Sequence, residues 1–303
     1  MFKFNKLETI SGSKNKMLYK VLDFLKVVLL LFIASLVGQI VSSLIQTVFP
    51  ANSNVTQICS LIVQYSFYLV VIMFAFPQPI KFHKNIWKFS YFWSGLLGLA
   101  LIIFGFANIF LLNLLSLVSL NYNFYLESNP QIFRFGLAEF LSLIVLFLIQ
   151  TLAEEWIFRG WILNFFQSIF SQVFSPKLNG NLNTNYTTLF SIILSSLLFG
   201  LMHIPGSNFP VANFLTTFML GLVWGYIAVQ TKSFLNAWPI HFINNLFFTF
   251  ILGYNQFFFA ESAVFKMDNL PNNFAWITIF IIINLILLNK VNSTILENKS
   301  ESN

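Results

Sequence analysis

A chain of 303 residues with 57% hydrophobic and 9% charged side chains, and 40 phenylalanines, cannot shield its apolar surface from water as a soluble domain does, since such domains carry roughly 25% charged residues. A bilayer removes the difficulty by acting as the solvent. The net charge of +6 sits in short basic stretches between apolar runs, without the aromatic–basic interleaving of a single-strand binder, so membrane lipid headgroups and not nucleic acid are the expected anionic partner.

Taken in chain order, segments long enough to cross about 30 Å of hydrocarbon are predicted at residues 21–49, 55–77, 91–119, 136–157, 188–204, 211–230, 234–252 and 274–290, an all-α, polytopic membrane helix bundle of about eight transmembrane helices. The first follows a basic stretch but is too long for a signal-peptide core, and no small-residue cleavage site follows it, so it is expected as a retained helix. Cys59, the single cysteine, excludes an intrachain disulfide framework, and its apolar surroundings in the second segment predict a buried, inert thiol. The fourth segment is expected to run on as an amphipathic extension through Trp161 and Phe170. The polar, Asn-rich stretch from Phe174 to Thr188 reads as a loop, and Pro205-Gly206 as a tight turn. The fifth to seventh segments are short and closely spaced, which predicts that one is tilted or partly re-entrant. Residues 291–303 form a polar tail. No repeat or second domain is visible, so residues 1–303 are expected to form one membrane domain with both termini cytoplasmic. That orientation places every Lys and Arg except Arg134 and Lys266 on the cytoplasmic side, as the positive-inside rule requires. Richness in Phe, Asn, Ile and Lys points to a low-GC genome and hence to a bacterial plasma membrane.

Ionisable side chains inside these segments carry the chemistry, because each costs roughly 2.5–3.5 kcal/mol at the membrane centre on insertion scales. At the end of the fourth segment stand Glu154, Glu155 and Arg159. Glu155 and Arg159 are four apart and share a helix face, which predicts a salt bridge. Glu154 points about 100° away and lacks that partner, a separation that divides a working carboxylate from a structural one. Phe199 and His203 lie on one face of the fifth segment, and His241 and Asn245 on one face of the seventh. The chain has 3 histidines, and the remaining one, His83, falls in a basic loop and reads as solvated. A carboxylate to take a proton from water, a histidine to hold that water and a His–Asn pair to donate to an oxyanion suit peptide-bond hydrolysis. Alternatively, Glu154, His203 and His241 would bind a Zn²⁺ that activates the water, although the HExxH arrangement is absent. Gly221 and Gly225 form a GxxxG pattern expected to pack within the bundle.

The three motifs EExxxR, FxxxH and HxxxN, standing in that order as Glu154-Glu155…Arg159, Phe199…His203 and His241…Asn245, resemble those of the CPBP family of intramembrane proteases, also called the CAAX protease and bacteriocin-processing or Abi family, over roughly residues 140–250. The resemblance implies a peptidase whose site lies inside the membrane and opens toward the cytoplasm. It implies that Glu154 and His203 activate water, that His241 and Asn245 stabilise the oxyanion, and that Glu155 and Arg159 support the first group. The family contains enzymes described as metalloproteases and as glutamate-dependent proteases, so Zn²⁺ stays open. The substrate class implied is a membrane-associated peptide or protein, either a lipidated CAAX-like one or a bacteriocin-like one. Two other readings compete: a proton-coupled transporter using the same groups as a relay, against which no inverted repeat is visible, and a non-catalytic scaffold or immunity protein, against which every motif side chain is present.

Overall fold

The computed structural model describes residues 13–48, 54–75, 94–96, 98–100, 103, 122–124, 137–174, 180–204, 210–250 and 265–267. Its helices are α1 (Ser13–Val48), α2 (Asn54–Ala75), α3 (Leu137–Glu155), α4 (Leu163–Phe174), α5 (Gly180–Met202), α6 (Pro210–Gln230) and α7 (Ala237–Phe250), with a π-helical turn, Trp156–Ile162, joining α3 to α4 and a 3-10 turn, Phe234–Asn236, leading into α7. The protein is a helical membrane protein. Among the described residues, Leu18–Val48, Thr56–Phe74, Phe140–Val173 and Asn213–Gln230 are long and apolar enough to span a bilayer, and Tyr186–Met202 is a shorter apolar helix. Of the three remaining predicted segments, 234–252 holds the shorter helix α7, 91–119 is described only at a few helical positions, and 274–290 lies outside the described residues, as do His83, Pro205-Gly206 and the polar tail. A three-residue ribbon that the sequence did not announce pairs β1 (Tyr122–Phe124) antiparallel with β2 (Phe265–Met267).

The helices hold together as membrane helices do. The first two present leucine, isoleucine and phenylalanine outward (Leu25, Leu29, Phe32, Phe74) and bury a narrow seam that includes Val27, Ala34, Ile58 and Ile72. Apolar side chains gain nothing by leaving hydrocarbon, so association falls to close packing and to satisfied polar groups. Hydroxyls are accordingly turned back onto their own helices: Ser66 donates to the Ile62 carbonyl at 2.7 Å, Thr151 to Phe147 at 2.6 Å and Ser191 to Thr187 at 2.6 Å. Packing runs α1 on α2, α2 on α3, α4 on α5 and α5 on α6, while α7 lies against α3. The Trp238 indole of α7 donates to the Leu148 carbonyl of α3 at 3.2 Å.

Three expectations need correction. Cys59 is exposed on the surface of the bundle; an apolar run in a bilayer does not distinguish core from lipid-facing positions. The Asn-rich stretch is not a loop throughout, because α5 begins at Gly180. Helix propagation is cheap once nucleated, and the apolar part of α5 extends backward through a segment free of proline. His203 does not lie inside a helical span but in the turn just after α5, with its backbone N–H on the Gly200 carbonyl at 3.0 Å.

The amphipathic extension is present as α4. Phe140–Val173 covers 34 residues, about 50 Å at 1.5 Å per residue, well beyond one hydrocarbon thickness. Its far end is held by rings: Phe24 of α1 stacks on Trp161 at 4.9 Å and on Phe165 at 4.3 Å, and Phe170 meets Phe190 of α5 at 5.9 Å. The π turn closes with the Leu163 N–H on the Phe158 carbonyl. That carbonyl also accepts from Ser195 of α5 at 2.7 Å, and the Gly160 carbonyl accepts from the Asn164 amide at 2.6 Å. Side chains thus supply bonds where the α ladder is interrupted.

After α6 the chain turns with Lys232 in the left-handed region, φ 52°. The Ser233 N–H reaches the Ala228 carbonyl at 3.0 Å and the Lys232 N–H the Val229 carbonyl at 3.1 Å, the double bond of a Schellman cap whose left-handed position normally holds glycine. Lys232→Gly is expected to stabilise the protein by about 1 kcal/mol, seen as a higher melting temperature in detergent.

Candidate functional site

The site forms where the end of α3 and the π turn meet α5, α6 and α7. Glu155 and Arg159, one turn apart, make the predicted ion pair, Nη1 to Oε1 at 3.0 Å, with both side chains at 0% exposure. Burial of this depth makes the pair viable only if its remaining hydrogen-bonding capacity is met. Part of it is: Arg159 Nη2 donates to the Gly221 carbonyl of α6 at 3.2 Å. The guanidinium also lies over the rings of Phe199 and Trp224, at 4.6 and 5.3 Å from their centroids, where ring quadrupoles favour a cation.

Gly221 is what lets the backbone come this close. A Cβ there would sit 3.0 Å from Ser196 Cβ, 3.2 Å from Ser196 Cα and 3.3 Å from Arg159 Nη2. One turn on, Gly225 faces Ile192 in the same way, so the GxxxG pattern packs α6 on α5 inside the bundle, as the sequence suggested. Gly221→Ala is expected to cost about 1–3 kcal/mol, the usual range for overpacking, because the atoms met are the Cβ and Cα of Ser196, which cannot swing away, and a buried charge; a melting curve in detergent measures it.

His241 of α7 joins the two glutamates. Its Nδ1 lies 2.8 Å from Glu155 Oε1 and its Nε2 3.6 Å from Glu154 Oε2. A carboxylate oxygen already accepting from Arg159 can only accept from Nδ1, which places a hydrogen on Nδ1 and leaves Nε2 facing Glu154. The imidazole is clamped flat against Trp224, centroids 3.8 Å apart and planes at 19°, and meets Phe199 edge-on at 5.9 Å.

Glu154 is placed differently from its neighbour. Its side chain keeps 12% exposure against 0% for Glu155, its Oε1 accepts from Gln150 Nε2 at 3.0 Å, and its Oε2 is buried without a hydrogen-bond partner among the described residues. Tyr65 of α2 lies within electrostatic reach of this carboxylate.

His203 packs on Phe199, ring centroids 4.4 Å apart, and its Nδ1 lies 2.7 Å from the Phe199 carbonyl. A carbonyl only accepts, so Nδ1 carries the hydrogen and Nε2 is left as the acceptor of the neutral ring. Asn213, at the start of α6, secures the turn by donating to the His203 carbonyl at 2.6 Å. Asn245 is half-buried one turn beyond His241 on α7.

The structure therefore brings Glu154, Glu155, Arg159, Phe199 and His241 into one connected cluster. His203 joins it through the Phe199 ring, and Asn245 shares a helix with His241. Among the described residues neither His203 nor Asn245 hydrogen-bonds to Glu154. Gln150, Trp224 and Gly221 are contributors that the sequence reading did not assign; a lone amide one turn before Glu154 in an apolar segment was the available signal for Gln150.

Catalytic zinc takes three protein ligands, and among the described residues no group of three His, Cys, Asp or Glu side chains could hold an ion. Glu154 and His241 converge as a pair, and the third donor nearby, Glu155, is committed to Arg159 and to the other His241 nitrogen, so no step is derived through a metal.

Buried carboxylates, a clamped histidine and an ion pair on the ends of apolar helices define the class: a polytopic membrane protein with an ionisable site built into its helix bundle. Residues 136–247 match the family described as type II CAAX prenyl endopeptidase Rce1-like, so this segment carries a domain of that intramembrane protease family, whose substrates are peptides or proteins in membranes. No curated protein and no solved structure matches the chain.

Proposed function

We propose that the protein hydrolyses a peptide bond of a membrane-associated substrate, with Glu154 as the base that activates water. The observation carrying this reading is Glu154 Oε2, buried and unbonded, 3.6 Å from His241 Nε2, beside a second glutamate already committed to Arg159. In this scheme Glu154 takes a proton from water as its oxygen bonds to the scissile carbonyl carbon. His203 assists through its free Nε2. Asn245 and the His241 imidazolium, through the second N–H that protonation places on Nε2, donate to the oxyanion, where each preorganised donor contributes most at the charge that develops. The carbon–nitrogen bond then breaks, and Glu154 returns the proton to the leaving amine. Glu155 holds His241, and Arg159 holds Glu155. The substrate we infer is a lipidated CAAX-like or a bacteriocin-like peptide, reached from the cytoplasmic face of a bacterial plasma membrane. Zn²⁺ remains a separate proposal with its own test.

The experiment is cleavage of a quenched, lipidated peptide library by the detergent-purified protein. Wild type is expected to cut and Glu154→Ala to be inactive; equal cleavage by both refutes the reading. Loss of activity with chelator, restored by zinc, would establish a metal that the described donor set does not provide.

A further inference from the structure

We propose that Gln150 is a positioning residue for Glu154, an inference that rests on the reading of Glu154 as the base. Gln150 lies one turn earlier on α3 and is half-buried. Its amide nitrogen donates to Glu154 Oε1 at 3.0 Å, a pairing that the four-residue spacing of a helix favours. With one oxygen tied, the carboxylate cannot turn freely, and the other oxygen stays buried and unbonded in front of His241 Nε2.

A glutamate has three rotatable bonds, and fixing such a side chain costs about 1.5–2 kcal/mol, so something must hold it. What surrounds it makes the choice of holder matter. His241 Nε2 is within a short swing at 3.6 Å. A carboxylate released from Gln150 would close onto that ring nitrogen, filling the position where a reacting water has to bind. An amide suits this task because it donates one hydrogen bond without adding a positive charge, so it orients the base while leaving its proton affinity available for chemistry. A lysine or arginine at the same place would pair with Glu154 and occupy it.

The inference also accounts for the cost of keeping an amide in an otherwise apolar run, between Ile149 and Thr151. Thr151 spends its hydroxyl on its own helix, whereas Gln150 reaches forward to the site.

The test measures kcat and KM for wild type, Gln150→Met, Gln150→Glu and Glu154→Ala on one cleaved peptide, with melting temperatures for each. Gln150→Met keeps the shape and removes the donor. It is expected to lower kcat by about tenfold to a hundredfold, the effect of a misplaced reacting group, with KM and melting temperature close to wild type. Gln150→Glu is expected to work only toward acid pH, where the introduced acid is protonated and donates in place of the amide, and to lose activity as pH rises. A wild-type kcat in Gln150→Met, or a wild-type pH profile in Gln150→Glu, overturns the positioning role. If Gln150→Met melts far below wild type, the pH profile of Gln150→Glu decides. Should Gln150→Met be normal while Glu154→Ala is dead, only this inference falls; an active Glu154→Ala removes the base assignment and the positioning role with it.

Discussion

Arg159→Met is expected to destabilise the protein by about 3–5 kcal/mol, the usual result of leaving one member of a buried ion pair without its partner. The stranded group is Glu155, fully buried and left with His241 alone. Methionine fills the space of the aliphatic stem but offers nothing to the Gly221 carbonyl, and the cation that lay over Phe199 and Trp224 is gone. The variant should melt at a clearly lower temperature in detergent or fail to accumulate. Combining it with Glu155→Gln removes both charges, and that double variant is expected to be more stable than Arg159→Met, since a buried pair costs more when broken than when deleted. Activity should not return with stability, because Glu155 also orients His241. A single variant that melts as wild type would show that the pair is solvated.

Glu154→Gln is expected to act in the opposite way: stability within about 1 kcal/mol of wild type, and turnover lower by about 10²–10⁴, the usual contribution of a general base. Glutamine keeps the shape and can still meet Gln150 through its amide oxygen. It cannot take a proton. Measured side by side, Glu154→Gln and Glu155→Gln should separate activity from stability across adjacent positions. Parallel losses of both properties in both variants would mean that the two glutamates are one structural unit.

The parts of this site that were legible in the sequence are those set by one helix. Glu155 and Arg159 pair because four residues make one turn, and Phe199 meets His203 for the same reason. Gly221 and Gly225 announced a close helix contact through their spacing. The apolar runs located α2, α6 and the end of α1 to within a few residues, because the bilayer imposes their length. What could not be read depends on contacts far apart in the chain. Glu155 and His241 are 86 residues apart, and nothing local marks the carboxylate as a partner of that histidine in addition to Arg159. Trp224 looked like any other apolar residue of α6 until its ring lay flat on His241. The exposure of Cys59 and the early start of α5 were missed because hydropathy reports the solvent of a segment, not which face meets protein.

The π turn has a consequence for how the chain's length is constrained. Each of its hydrogen bonds spans one residue more than an α bond, so Trp156–Ile162 behaves as a local surplus within an otherwise continuous rod. Helical phase on either side is set by different neighbours, α2 and α7 for the incoming half and α1 and α5 for the outgoing half. The surplus takes up the mismatch between those two dockings and swings Arg159 inward at the same point. Insertions and deletions elsewhere along this rod would rotate one set of contacts against the other, whereas here the residue count answers to the ion pair.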